Sequence, residues 1–175
     1  MYKCSLVQLT EVQVFHIRKF DEKKILFLHG WFSTGSSKRL FLDFLGHDVF
    51  SPKLSDWSFS DAVNQAQKSY KSFQPDLIVG SSRGGAVAMN IDSGNTPMVL
   101  LSPAWKKFGK SDKLEKNNVI LIHSPNDRMV SPKNSAELML NSVDGVSLYS
   151  GGENHRLNCK IGRMHLKKAI NQLLD

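Results

Sequence analysis

Six short apolar runs, separated by amphipathic stretches, constrain the fold of this 175-residue chain more than any other feature. Several of these runs are apolar throughout, without the alternation of a strand that has one face in water. Strands buried on both faces have this pattern, which predicts a mostly parallel sheet covered by helices. The predicted strands are Ile25–Leu28, Asp48–Phe50, Leu77–Val79, Met98–Leu101, Val119–Ile122 and Val146–Tyr149.

Strand and helix signals alternate along the chain, so we expect a single α/β domain, residues 1–175, with right-handed crossovers. A chain of this length can bury a full core without disulfides. Residues 1–24 are expected to form an edge strand or hairpin. Five helices are predicted. The first spans about Ser37–Leu45, and the second runs from Ser60 as N-cap to about Phe73. A third follows Gly84, a fourth begins at Ser131 and Pro132 and runs through Leu140, and the last runs from Lys160 towards the C-terminus.

The charge balance sets the expectations about partners. Lysine and arginine total 23 against 16 acidic residues, a net charge of +7, and the excess is concentrated in Lys106–Lys116 and Arg156–Lys168. Such a surplus can attract nucleic acid, anionic lipid or an acidic protein, although most charge runs are solvated helix faces, which is the favoured interpretation. Aromatic residues do not interleave with the second basic run, so a nucleic-acid-binding module is disfavoured.

Cysteine content and hydropathy exclude several classes of protein. Cys4 and Cys159 lie far apart, which excludes a disulfide framework and a four-cysteine zinc site. No segment has the roughly 20 apolar residues of a membrane span, and no signal peptide is recognisable. We therefore expect a cytoplasmic monomer or weak dimer. Without metal-ligand clusters or nucleotide-binding fingerprints, we expect no metal and no cofactor.

The sharpest motif is Gly80-Ser81-Ser82-Arg83-Gly84, between an apolar strand and a small-residue helix. A serine nucleophile needs its oxygen lifted clear of the sheet at a tight strand-to-helix turn. Flanking glycines suit this turn because close backbone approach leaves no room for side chains. Ser82 is therefore the candidate nucleophile. A loop with ordinary glycines is the alternative, since Gly-x-Ser-x-Gly arises by chance in about one such chain in twenty.

The loop His29-Gly30-Trp31 follows the first predicted strand. The carboxyl ends of parallel strands meet at one edge of a sheet, so this loop should lie near Ser82. Its backbone N–H groups could donate to an oxyanion together with the N–H of Arg83. A buried His29 that braces its own loop is the alternative.

Asp127 and His155 each follow a later predicted strand. Asp127 is placed to orient an imidazole, although Asn-Asp after proline is also typical of a surface turn. His155 follows a glycine-rich loop and can reach back over the sheet edge, while a solvated loop histidine is the alternative. Glu153 is the next candidate acid. The histidines that fit worse as a base are His16, His47, His123 and His165.

The order Ser82, Asp127, His155 is that of α/β-hydrolases and differs from the orders in chymotrypsin-like and subtilisin-like enzymes. On these residues, and on Leu-His-Gly-Trp and Ser-Pro-Asn-Asp-Arg-Met-Val, the chain from about Ile25 onwards resembles the α/β-hydrolase superfamily. It is similar to short, lidless, esterase-like bacterial members. The resemblance implies a single-domain, three-layer α/β-hydrolase fold, with helices on both faces of a mostly parallel twisted sheet and no lid domain.

The resemblance also implies a reaction, the hydrolysis of small carboxylic esters or thioesters through an acyl-enzyme. Arg83 departs from the family because it is large and charged after the nucleophile, which leaves substrate polarity open. The N-terminal strands are abbreviated as well. The implied roles are Ser82 as nucleophile, His155 as general base and acid, Asp127 as its orienting acid, Trp31 and Arg83 as backbone oxyanion donors, and His29, Gly30, Gly80 and Gly84 as supporting loop residues.

The sequence is compatible with several substrates and with more than one class of protein. The insert Ser102–Asn118 is short and basic where larger relatives carry a lid, which favours small or exposed acyl groups. His-Gly-Trp also occurs in a carboxylesterase that acts on an acyl chain of acyl carrier protein, and the lysines of this chain could steer such an acidic carrier. The alternatives are a non-catalytic binding protein with this fold, an acyltransferase, or a carbon–carbon hydrolase with the same triad.

Overall fold

The computed structural model describes residues 22–32, 36–108 and 112–174. Its strands are β1 (Lys24–Leu28), β2 (Asp48–Phe50), β3 (Leu77–Ser81), β4 (Met98–Leu101), β5 (Val119–His123) and β6 (Val146–Ser150). They form one sheet in the order β2-β1-β3-β4-β5-β6, and every neighbouring pair is parallel. All six predicted strands are confirmed, as is the parallel sheet.

The strands are joined by the helices α1 (Ser36–Phe44), α2 (Phe59–Phe73), α3 (Arg83–Ala88), α4 (Trp105–Phe108), α5 (Pro132–Asn141) and α6 (Lys160–Leu174). The five predicted helices are present. The short helix α4 had no sequence signal of its own. Between β4 and β5, the part of the chain that is described contains no other helix, which agrees with the expected lack of a lid domain.

Helices cover both faces of the sheet and give the molecule three layers. Helices α2, α3 and α5 pack on one face, and α1 and α6 pack on the other. Leu26 and Leu28 of β1 enter the first core, whereas Ile25 and Phe27 enter the second. Each fully buried side chain of this kind stabilises the fold by roughly 1.5–3 kcal/mol. Burial of both strand faces therefore explains the continuous apolar runs.

Two helix starts differ from the prediction. The N-cap of α2 is Ser58, whose hydroxyl oxygen accepts a hydrogen bond from the N–H of Asp61 at 3.1 Å, so the prediction of Ser60 was wrong. Ser58 has the extended backbone of an N-cap, with φ −115° and ψ 122°, and Asp61 in the first turn suits the positive end of the helix dipole. Helix α3 begins at Arg83 rather than after Gly84, directly at the turn that carries Ser82.

The hairpin predicted within residues 1–24 lies almost wholly outside the described residues, and Lys24 begins β1. Across the described ranges, no helix is long and apolar enough to cross a membrane.

Candidate active site

Ser82 stands on a strained turn between β3 and α3. Its backbone has φ 55° and ψ −117°, a left-handed conformation that costs a non-glycine residue free energy. The neighbouring loop holds it there, because the Ser82 N–H donates to the carbonyl of Leu101 at 2.8 Å and the Ser82 carbonyl accepts from the N–H of Ala104 at 3.0 Å. The turn lifts the hydroxyl off the sheet, as the motif predicted.

Gly80 and Gly84 are required by close backbone approach. A Cβ on Gly84 would lie 2.1 Å from the carbonyl oxygen of Leu28, and one on Gly80 would lie 2.8 Å from the carbonyl oxygen of Gly84. Neither obstacle is a flexible side chain, so a larger residue would push α3 away from β1 at Gly84, or away from β3 at Gly80. Gly30 is less crowded, with a virtual Cβ 3.4 Å from the Cβ of Ser82.

Ser82, His155 and Asp127 form a continuous chain of hydrogen bonds. The Nε2 of His155 lies 2.9 Å from the Ser82 Oγ, and its Nδ1 lies 2.7 Å from the Asp127 Oδ2. The carboxylate is an acceptor, so Nδ1 carries the proton and Nε2 is free to accept from the serine hydroxyl. The structure therefore brings together three residues that are separated by 73 and 28 positions in the sequence.

Asp127 is buried but has four hydrogen-bond donors around its carboxylate. Its Oδ1 accepts from the N–H groups of Met129 at 2.8 Å and Val130 at 3.0 Å, and its Oδ2 accepts from His155. Burial alone would raise the pKa of Asp127, but the Val130 N–H, His155 and the Met129 N–H outweigh it and hold that pKa below its ordinary value. The group is therefore ionised at neutral pH, as an orienting acid must be.

The fourth donor is His123, which the sequence indicated only as a poorer candidate than His155 for the base. Its Nε2 lies 3.0 Å from the Asp127 Oδ2 and 3.1 Å from the carbonyl oxygen of Val130, and both partners are acceptors, so this nitrogen carries a proton. Its Nδ1 lies 2.6 Å from the Oγ of Ser135. Burial lowers the pKa of His123, so the ring is neutral at neutral pH, with Nδ1 accepting from the Ser135 hydroxyl.

One signal could have found His123. It is a polar residue at the end of an otherwise apolar strand, four positions before Asp127. An imidazole in that place has to find a partner inside the fold, because a buried polar group without one is costly.

The residues predicted to supply backbone donors, Trp31 and Arg83, line the same cleft as Ser82. Among the described residues, the N–H groups of Trp31 and Arg83 have no hydrogen-bond partner, which leaves them available to an oxyanion. The Trp31 ring is half-exposed and stacks on Phe32, with ring centroids 5.3 Å apart. His29 is buried, and its Nδ1–H donates to the carbonyl of Gly30 at 2.9 Å. His29 therefore braces its own loop.

The Arg83 side chain is almost entirely buried, with 2% of its surface exposed. Its guanidinium donates to the carbonyl of Ser58 at 3.2 Å and packs against the rings of Phe59 and Phe108, 5.7 and 5.5 Å from their centroids. The side chain thus links the Ser82 turn to the start of α2.

A cleft of about 590 Å³ opens beside these residues. No grouping of histidine, cysteine, aspartate or glutamate within the described ranges could hold a metal ion. The residues that line the cleft include Ser82 and His155, the aromatic residues Trp31, Phe32 and Phe108, and the cationic residues Lys38, Arg83, Lys107 and Arg156.

Comparison with known proteins rests on structure alone. No protein-family profile matches the chain, and no curated protein matches it in sequence. A protein from Agrobacterium vitis S4, proposed to be a hydrolase, superposes with a TM-score of 0.73 and 15% identity over 88% of each chain. An α/β serine hydrolase without a lid from Xanthomonas campestris gives 0.65 and 13%, covering 86% of this chain and 83% of its own. The esterase domain of a Rhodothermus marinus protein gives 0.60 and 16%, covering 86% and 84%.

These superpositions cover nearly the whole described part of the chain at low identity, so they establish architecture and leave the reaction open. Together with the parallel sheet and the turn at Ser82, they show that this chain has the α/β-hydrolase fold, and its described residues include no lid domain.

Proposed function

We propose that this protein is a serine hydrolase that cleaves small carboxylic esters or thioesters through an acyl-enzyme on Ser82. The observation that carries the proposal is the unbroken hydrogen-bond chain from Ser82 through His155 to Asp127, at 2.9 and 2.7 Å. Each donor and acceptor in this chain has the direction that proton transfer away from the serine needs.

The first half of the proposed reaction forms the acyl-enzyme. The Oγ of Ser82 attacks the substrate carbonyl carbon while His155 Nε2 takes the serine proton. The N–H groups of Trp31 and Arg83 stabilise the negative charge on the tetrahedral oxygen. When the intermediate collapses, the bond to the leaving group breaks, and that group takes the proton from His155.

The second half releases the product. Water attacks the acyl carbon, and His155 removes one of its protons and returns it to Ser82 as the acid leaves. Asp127 stays ionised throughout and stabilises the imidazolium that forms twice in each cycle.

The test is steady-state hydrolysis of 4-nitrophenyl acetate. Ser82→Ala and His155→Ala should each lower kcat by about three orders of magnitude or more, and the double variant little further, because these residues act as a unit. Asp127→Asn should cost somewhat less. Ser81→Ala is the matched control, because it removes the adjacent hydroxyl, and it should stay within a few-fold of wild type. Unchanged hydrolysis by Ser82→Ala would contradict the proposal.

Two further measurements separate the rival classes. Retained activity in Asp127→Asn would assign the acid role elsewhere, with Glu153 the next candidate. Product analysis in the presence of a competing alcohol would distinguish hydrolysis from acyl transfer, since a transferase forms the new ester. An acidic carrier protein as the bearer of the acyl group remains a prediction from the basic surface.

A further inference from the structure

The charge of the cleft is one-sided. Four cationic residues, Lys38, Arg83, Lys107 and Arg156, are among those that line it, and no acidic residue of the described ranges does. A cleft lined by one sign of charge attracts ligands of the opposite sign and holds them more firmly than open solvent would.

Two of the four cations already have neighbours. Arg83 is engaged by the Ser58 carbonyl and two phenylalanine rings. Lys107 lies over the rings of Trp31 and Phe108, with its Nζ 5.0 and 5.4 Å from their centroids. Both therefore belong to the aromatic side of the cleft, next to α2 and α4.

Lys38 and Arg156 lie on the other side, where α1 meets the loop of His155. The side chain of Asn158 donates to the Oγ of Ser37 at 3.3 Å and holds the two segments together. Within the described part of the chain, neither Lys38 nor Arg156 forms an ion pair.

Holding these two cations together has a cost. Burial, together with the charge of Arg156, lowers the pKa of Lys38 to about 8. The free cleft therefore keeps the Lys38 ammonium partly out of water beside the like charge of the exposed Arg156, and an anion bound between them would relieve that repulsion.

We propose that Lys38 and Arg156 form an anion subsite, and that the substrate is an ester or thioester that also carries a carboxylate or phosphate group. The inference rests on the proposed function, because it names the substrate class of the same cleft. Arg156 follows His155 directly in the chain, so the anionic group would lie close to the reacting bond. Charged hydrogen bonds to a carboxylate or phosphate are about twice as strong as neutral ones.

The experiment compares charged and neutral substrates. Mono-4-nitrophenyl adipate carries its carboxylate on the acyl group, and its methyl ester is the neutral match. In the second pair, 4-acetoxyphenylacetate carries its carboxylate on the leaving group, and its methyl ester is the neutral match. Wild type should prefer the charged member of at least one pair by about tenfold or more in kcat/KM at low salt. The pair that shows the preference identifies which part of the substrate carries the anion.

Three variants locate the preference. Lys38→Gln and Arg156→Gln should each reduce the charged-to-neutral ratio several-fold, because each removes one cation from the subsite. Arg39→Gln is the matched control, since it removes a neighbouring cation of α1 that pairs with Asp43 away from the cleft wall. That variant should keep the wild-type ratio.

The outcomes separate the two proposals. Equal rates on charged and neutral esters, or a preference that survives in Lys38→Gln and Arg156→Gln, would overturn the anion subsite and leave the serine hydrolase standing. If no ester is hydrolysed and Ser82 does not react with a fluorophosphonate, the proposed function itself fails.

Discussion

Asp127 accepts hydrogen bonds from two histidines, and only one of them faces Ser82. His123 holds the far side of the same carboxylate oxygen, so it should act as a positioning residue for the acid. A hydrogen bond to a buried charge is worth roughly 1.5–3 kcal/mol, and each 1.36 kcal/mol corresponds to about tenfold in rate.

The prediction for His123 uses two variants. His123→Gln keeps an N–H donor near the position of Nε2 and should retain most of kcat. His123→Leu removes the donor and should lower kcat by about tenfold to a hundredfold with little change in KM. Kinetics of both variants on 4-nitrophenyl acetate provide the check. Equal activity in the two folded variants would show that the contact with Asp127 has no catalytic consequence.

His123 also predicts how stability depends on pH. Because its pKa is lowered in the folded state, the unfolded chain takes up a proton near pH 6.5 that the folded chain does not. The free energy of unfolding should therefore fall as pH drops below about 6.5. Urea unfolding at pH 7 and pH 5 should show a smaller loss for His123→Gln than for wild type. Part of the loss of stability should remain in the variant, because burial also lowers the pKa of His47.

Among individual residues, the sequence indicated those of the candidate triad, because their roles follow from their order along the chain. Ser82, Asp127 and His155 each follow an apolar run, and parallel strands bring such positions to one edge. It did not indicate the partner of His123 or the direction of Arg83. Both depend on rotamers that are chosen by neighbours distant in the chain, such as Ser135 and Ser58.

Among the elements, Arg83 connects the Ser82 turn to helices α2 and α4. Arg83→Met should lower the free energy of unfolding by about 1–3 kcal/mol, because the hydrogen bond to Ser58 and the ring contacts are lost. Ester hydrolysis should fall by less than about tenfold, since the backbone N–H of residue 83 remains.

Denaturant unfolding and steady-state kinetics, run side by side, check this prediction. Arg39→Met serves as the control. Its exposed pair with Asp43, at 3.7 Å, should contribute no more than about 1 kcal/mol. A loss of kcat in folded Arg83→Met comparable to that of Ser82→Ala would mean that the guanidinium, rather than the backbone, takes part in the reaction.

The elements themselves were predictable for a physical reason. A strand buried on both faces has to be apolar along most of its length, so β1, β3, β4 and β5 stand out in the sequence, with polar residues only at their ends. Helix starts were less predictable, because Ser58 and Ser60 are both good N-caps. The extended backbone at Ser58 decides between them, and neither serine signals it in the sequence.

For the molecule as a whole, the lidless cleft predicts a preference for short acyl chains. A palmitoyl chain would leave many methylene groups in water, and each of them would miss the roughly 0.8 kcal/mol that burial of a methylene contributes. An acetyl or butyryl group is short enough to lie beside Ser82. With 4-nitrophenyl esters, kcat/KM for acetate or butyrate should exceed that for palmitate by about tenfold or more. A clear preference for palmitate would show that another surface covers the chain.

Covalent labelling tests directly whether Ser82 is an activated nucleophile. A fluorophosphonate probe followed by peptide mass mapping should place the label on Ser82 in wild type and in Ser81→Ala, and should find none there in Ser82→Ala. Lack of labelling in well-folded wild type, or a label that persists elsewhere in Ser82→Ala, would contradict the account and favour a binding protein that shares the fold.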